Sequence, residues 1–179
     1  MHLQLKKLYP IFLIVCLVFI SVSLLVTFEG ATREVLESRQ EQETLELLQQ
    51  IFPEAYLYTY DTDTEIYTIY NTGRREIGHA FYGSDWGYRS KIFVLVGLKD
   101  TETIMGIVVT QQREDYQYWE RMEENNFFEQ FVGLKIKECY PSWSWLPGGV
   151  DAITRSTTSC RGVINAVREA VLEKIKYLD

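Results

Sequence analysis

Between Asp151 and Cys160 the chain reads Asp-Ala-Ile-Thr-Arg-Ser-Thr-Thr-Ser-Cys, with five hydroxyl side chains among the six residues from Thr154 to Ser159. This run opens directly into an amphipathic segment in which Val163, Val167, Val171, Ile175 and Leu178 recur at helical spacing. The first amides of a helix have no acceptor within the helix, and aligned peptide dipoles leave partial positive charge there, so the place suits an anion such as a phosphate. Arg155 and Arg161 bracket the run, and two guanidinium groups can share a phosphate's charge through paired hydrogen bonds. The alternative is ordinary helix capping by Thr158 or Ser159.

A final helix of this kind needs a sheet to pack on, and the middle of the chain is strand-rich. Ala55 to Tyr60, Glu65 to Tyr70 and Glu76 to Tyr82 are short, Tyr-rich and partly alternating, with Asp61, Asp63, Asn71 and Gly73 as turn residues between them. Lys91 to Leu98 and Thr103 to Gln111 are more continuously apolar, and the link Lys99 to Glu102 is short enough for a hairpin, so this pair is expected to form the core of the sheet. Glu114 to Phe131 turns helical or irregular. Its Tyr116, Tyr118 and Trp119 are candidates to stack on a planar ligand, or else pack under a surface loop. Cys139 to Gly149 is a loop by its prolines and glycines, and Trp143 and Trp145 could cover a ligand edge, dock a partner, touch a membrane interface or pack at the rim of the core.

The N-terminus carries Lys6 and Lys7, then an almost unbroken apolar run from Ile11 to Phe28. At 1.5 Å per residue its 18 residues span roughly 27 Å, close to the hydrocarbon thickness of a bilayer. The lysines precede the run and the first basic residue after it is Arg33, so the charge bias keeps residues 1–10 in the cytoplasm and places the rest on the extracytoplasmic side of the cell membrane. A retained single-pass anchor over residues 11–28 is preferred to a cleaved leader because Val26 to Ala31 fit a small-x-small cleavage site poorly. Cys16 is no lipid attachment site, since bulky Val15 precedes it and the apolar run continues past it. Residues 29–53 read as a stalk helix ended by Pro53, and residues 54–179 as one globular domain.

Composition excludes several classes of function. A net charge of −7 and a pI near 5.0 argue against nucleic acid, which needs a basic face. Two histidines and three scattered cysteines make neither a haem attachment site nor an iron–sulfur cluster, and a metal site is not expected. His79 lies in a strand and reads as structural, while Cys139 and Cys160 are equally compatible with a disulfide and with two free thiols. A Ser or Thr hydrolase lacks any His or acid placed to activate the nucleophile.

The segment Asp151 to Val163 resembles, without a gap, the motif of FMN-binding domains of the Rnf G subunit and Nqr C subunit type, roughly Asp-Ala-hydrophobic-Ser/Thr-Gly-Ala-Thr-x-Ser/Thr-Ser. In that family the last Thr of the Ser/Thr-Gly-Ala-Thr core carries FMN through a phosphoester bond, and Thr157 occupies that position. Arg155 stands where the family has Gly and Ser156 where it has Ala: either the turn adapts and Arg155 contacts the phosphate, or flavin attachment has been lost. Gly87, Tyr88 and Arg89 before Ile92 to Gly97 look like the family's Gly-Tyr strand pair, and Ile51, Phe52 and Pro53 like the end of its post-anchor helix. Where the family often carries His-x-Glu-Thr-Pro-Gly-Leu-Gly, this chain has Gln112 to Trp119 and keeps only the Glu, as Glu114.

The resemblance implies an α+β chain: a single N-terminal transmembrane helix, a stalk helix, and an antiparallel-sheet FMN-binding domain with a C-terminal helix. It implies covalent FMN on Thr157, with Thr154, Arg155, Ser156, Thr158, Ser159, Arg161, Glu114 and Tyr116 around the cofactor and no catalytic residue or metal. The chain would be an electron carrier in an Rnf/Nqr-like ion-translocating complex, partnered by other membrane subunits and matured by a flavin transferase that uses FAD. The competing classes are a flavin-free, membrane-anchored binding or sensor domain of the same fold, and a purely structural subunit.

Overall fold

The computed structural model describes residues 2–136 and 149–178, with the side chains of residues 2–11, 26 and 28–38 outside that description. The expectations for Cys139 to Gly148, including Trp143 and Trp145, fall outside the described residues. Helix α1 is His2–Ile51, so the expected anchor and stalk belong to one helix. The chain divides into two compact units, Met1–Thr44 and Leu45–Asp179.

In the first unit every side chain described from Phe12 to Leu25 is exposed, and the large apolar ones run all round the helix. The membrane span expected over Ile11 to Phe28 is not seen as such, because among the described residues no helix is long and apolar enough to cross a membrane. The described apolar stretch from Phe12 to Leu25 covers only about 21 Å at 1.5 Å per residue.

In the second unit, strands β1 (Leu57–Asp61), β2 (Ile66–Tyr70), β3 (Glu76–Trp86), β4 (Lys91–Asp100) and β5 (Thr103–Gln111) form one sheet in chain order, each neighbouring pair antiparallel. The meander follows from turn chemistry. The Asp61 carboxylate accepts the Asp63 amide at 3.0 Å and the Thr64 hydroxyl at 2.9 Å, and the Asn71 side chain accepts the Arg75 amide at 3.0 Å. Strand β1 starts two residues later than expected, because Ala55 is buried and its amide donates to the Phe52 carbonyl rather than to a ladder. Strand β3 runs four residues past Tyr82, where Gly83, Ser84 and Asp85 break the apolar pattern but not the pairing with β4. Strand β4 is buried as expected, whereas β5 is an edge strand, so the pair is not wholly core. The start of its edge is covered: the Ile104 amide donates to Leu134, and the amides of Gly133 and Ile136 donate to Ile104 and Glu102.

After the sheet come helix α2 (Tyr116–Glu124), a 3-10 turn over Phe128–Phe131, helix α3 (Thr157–Lys174) and a last 3-10 turn over Ile175–Tyr177. The two faces of the sheet bury separate clusters. One gathers Leu48, Ile51, Phe52 and Ala55 against Ile69, Ala80 and Leu95. The other packs Val163, Val167 and Val171 of α3, with Met122, Phe127 and Phe131, on Phe81, Val94, Val96 and Leu98.

Helix α3 lies unusually close to β3 because the facing residues are small. A Cβ on Gly83 would sit 2.3 Å from the Ala166 carbonyl oxygen and 2.8 Å from the Ala170 methyl, and one on Gly162 would sit 2.8 Å from the Trp86 carbonyl oxygen. At the far end, the buried Lys174 reaches Glu65 in the β1–β2 turn at 2.9 Å. Gly83→Ala should therefore cost about 1–3 kcal/mol in urea unfolding, with little change in the far-ultraviolet circular dichroism; a variant as stable as the parent would show that the contact is looser than described.

Candidate functional site

Glu114 is the hub of the region. Its side chain is 9% exposed and accepts the backbone amides of Tyr88, Arg89 and Ser90, each at 2.9 Å. The Ser159 hydroxyl, in the first turn of α3, donates to Oε2 of the same carboxylate, the oxygen that also accepts the Tyr88 amide. Three consecutive amides can converge on one acceptor because the β3–β4 link is a tight turn, closed by the Gly87 amide on the Ser90 carbonyl at 2.8 Å. Gly87 is required at that turn, since a Cβ there would sit 2.8 Å from the Glu114 carboxylate and 2.7 Å from Ile92. Next to Glu114, Asp115 pairs with Arg89. Burial by itself raises the Glu114 pKa, yet the Ser159 hydroxyl and the amides of Arg89, Ser90 and Tyr88 outweigh it and hold the group below the usual carboxylate range.

This anchorage fixes the start of α3. Ser156 is the residue before the helix and is 3% exposed, but its hydroxyl donates to the Tyr118 carbonyl at 2.8 Å instead of capping the helix. Neither Thr158 nor Ser159 is the cap, since both lie inside the helix. The first helical bond runs from the Cys160 amide to the Ser156 carbonyl at 3.0 Å, so the amides of Thr157, Thr158 and Ser159 precede the helical ladder. The same three residues line a recess of about 260 Å³ together with Tyr88, Tyr118, Arg155 and Ser156, with the rings of Tyr88 and Tyr118 edge to face at 5.5 Å. Arg155 stands at φ +71°, in the left-handed region that favours glycine.

The structure thus brings together Arg155, Ser156, Thr157, Thr158 and Ser159 around one recess, with Thr157 exposed at its rim. Thr154 and Arg161 are exposed on the flanks, and neither lines the recess. Glu114 is tied to the recess through Ser159 but faces amides and a hydroxyl, the surroundings of a structural anion rather than of a phosphate ligand. Tyr116 is 76% exposed, its hydroxyl donates to Glu120 at 2.7 Å, and it does not line the recess, because the start of α2 turns its ring outward. Trp119 is buried against Phe128, the packing alternative for that ring. Tyr118 and Tyr88 are the aromatic residues at the recess; Tyr88 was legible only as the second member of the Gly-Tyr pair. Cys160 is a free, buried thiol that accepts the Ile153 amide at 3.4 Å, and burial pushes its pKa up. Its suggested partner, Cys139, lies outside the described residues. His79 is structural as expected, with Nε2 3.1 Å from Glu76 and Nδ1 3.4 Å from the Thr68 hydroxyl. Among the described residues no cluster of His, Cys, Asp and Glu could hold a metal ion.

Residues 87–172, which run from the Gly87 turn through nearly all of α3, match the family described as FMN-binding domain. Two solved structures share the fold. Shewanella oneidensis NqrC superposes with a TM-score of 0.50 at 15% identity, over 69% of this chain and 72% of that one. The C subunit of the Na(+)-translocating NADH-quinone reductase from Parabacteroides distasonis gives 0.51 at 18% identity, over 63% of this chain and 61% of that one. No curated protein matches the sequence.

A carboxylate held below its ordinary pKa stabilises the fold above that ordinary value, here 4.5, and the contribution is lost as pH falls through the lowered one. The stability of the chain should accordingly fall on acidification below pH 4.5. Glu114→Gln should cost about 2–3 kcal/mol at neutral pH and flatten that acid limb, as read by urea melts across the range. An unchanged acid limb in the variant would show that Glu114 is not the linked group.

Proposed function

We propose that this chain, whose residues 87–172 match the family described as FMN-binding domain, is a membrane-anchored flavoprotein electron carrier whose FMN is joined by a phosphoester to Thr157. The observation that carries the reading is the position of Thr157: the first residue of α3, exposed at the rim of the recess, with helix amides beside it that have no helical acceptor. The donor set fits the group. Amides and a guanidinium suit the phosphate, and the rings of Tyr88 and Tyr118 offer an apolar flank to a planar heterocycle. When bound, FMN supplies the electron transfer, and the fold supplies position and electrostatics.

A covalent link would hold the nucleotide at the recess however much of its surface the recess covers. Attachment from FAD would form a bond from the Thr157 oxygen to the FMN phosphorus and break the pyrophosphate bond, so that AMP leaves and the hydroxyl gives up its proton. Among the described residues no His, Asp or Glu lines the recess, and in this reading a separate flavin transferase supplies the base. Ser156 stays out of the chemistry because its hydroxyl is committed to Tyr118.

The apolar run Ile11 to Phe28 after Lys6 and Lys7 supports a single-pass anchor with the N-terminus in the cytoplasm and the FMN domain on the extracytoplasmic side. The Shewanella oneidensis and Parabacteroides distasonis structures of the same fold support membership of an Nqr/Rnf-like ion-translocating electron-transport complex, with its other membrane subunits as partners. Co-expression with a flavin transferase, followed by intact-mass measurement, should show one FMN on the parent chain. The mass shift should vanish in Thr157→Val and persist in Thr157→Ser. An unmodified, colourless parent chain would favour the flavin-free binding module instead.

A further inference from the structure

We propose that Arg155 is this chain's own ligand for the phosphate of the nucleotide carried by Thr157, an inference that rests on the functional reading above. Three observations converge on it. The Arg155 backbone adopts φ +71°, a region that a residue with a Cβ enters only at a cost, and such positions persist where the surrounding structure enforces them. Here the enforcement is visible on both sides: the Ser156 amide is bonded to the Ile153 carbonyl at 3.0 Å, and the buried Ser156 hydroxyl to the Tyr118 carbonyl. Arg155 lines the recess together with Thr157, Tyr88 and Tyr118. Finally, Arg155 makes no ion pair or hydrogen bond among the described residues, in contrast to Arg89, paired with Asp115, and Arg168, paired with Glu169.

The chemistry matches the group. A phosphodiester on Thr157 carries one negative charge over two non-bridging oxygens, and the guanidinium fork can donate to both at once. Glycine in the same turn would relieve the backbone but leave the phosphate with neutral amides alone. The chain therefore accepts a strained conformation in return for a cation two residues ahead of the attachment point.

The test uses the full chain in detergent micelles, loaded by a flavin transferase with FAD, and compares Arg155→Gly, Arg155→Asn and Arg155→Lys with the parent. Gly and Asn both suit the left-handed region, so neither should lower the melting temperature of the unloaded protein. Both should slow covalent loading about fivefold, with Lys intermediate because it keeps the charge without the fork. The second readout follows the loaded forms. In the parent the gain in melting temperature on loading should shrink as salt is raised, and the phosphorus resonance of the linkage should shift on Arg155→Asn; in Gly and Asn the gain should be smaller and nearly independent of salt. Gly and Asn variants that load at the parental rate, with the parental salt response and phosphorus resonance, overturn this inference and leave Thr157 as acceptor. A parent chain that takes up no flavin overturns the functional reading and this inference with it.

Discussion

A buried carboxylate must find donors or give up its charge, and Glu114 finds five: three successive amides of the β3–β4 turn and the hydroxyls of Ser90 and Ser159. These donors come from segments about 25 and 45 residues away in the chain, so they converge only once α3 is seated on β3. The seat depends on Gly83 and Gly162, whose missing side chains let backbone approach backbone, and on Gly87, which leaves room for the carboxylate. The hydrogen-bonded ion and the glycine contacts therefore support each other. If the helix moved away by a side chain's width, Ser159 would leave the carboxylate; if the carboxylate were lost, the turn that Gly162 packs against would lose its acceptor. Lys174 and Glu65 close the far end of α3, so the helix is tied to the sheet near both termini.

Helical phase does the rest. With Ser159, Cys160 and Val163 turned to the sheet and buried, the 100° step per residue turns Thr157, Thr158 and Arg161 outward, and these are the exposed residues of the first turn. Thr157 is thus a hydroxyl held on a fixed base yet open to solvent. That combination is what a second protein would need in order to reach it.

Much of this architecture was legible from pattern. The boundaries of β5 coincide with the apolar run that marked it, and the Val163, Val167 and Val171 stripe is the fully buried face of α3. The strand ends were less legible: pairing carried β3 through Gly83 to Asp85, where side-chain alternation gives no signal, because a ladder needs backbone groups and not apolar side chains. At the site, the hydroxyl run pointed to the right helix start, but the roles within it did not follow from residue type. Ser156 and Ser159 look equivalent to Thr157 in sequence and line the same recess, and only tertiary contacts with Tyr118 and Glu114 commit their hydroxyls elsewhere. The same holds for Glu114, which reads as a ligand beside Tyr116 and proves to be a clamp, since its donors are distant in the chain. Tyr116 and Tyr118 are two residues apart on one helix, so they point in different directions, and only Tyr118 reaches the recess.

The open rim of the recess, where Thr157 is exposed, fits the proposed role. Affinity obtained by burial grows with the surface removed from water, but a redox cofactor enclosed on all sides also stands far from any partner that must exchange electrons with it. A covalent link separates these demands: the tether keeps the effective concentration of the cofactor at its site high whatever the recess contributes, so the ring can remain largely outside. The domain in this role needs to bind only one end of the nucleotide well, and the amides ahead of the helical ladder, the guanidinium and the hydroxyl around the start of α3, with two tyrosine rings at the side, suit its anionic end. The firm Glu114 anchorage beneath and the open rim above are consistent with one requirement, a fixed point of attachment for a group that must stay accessible.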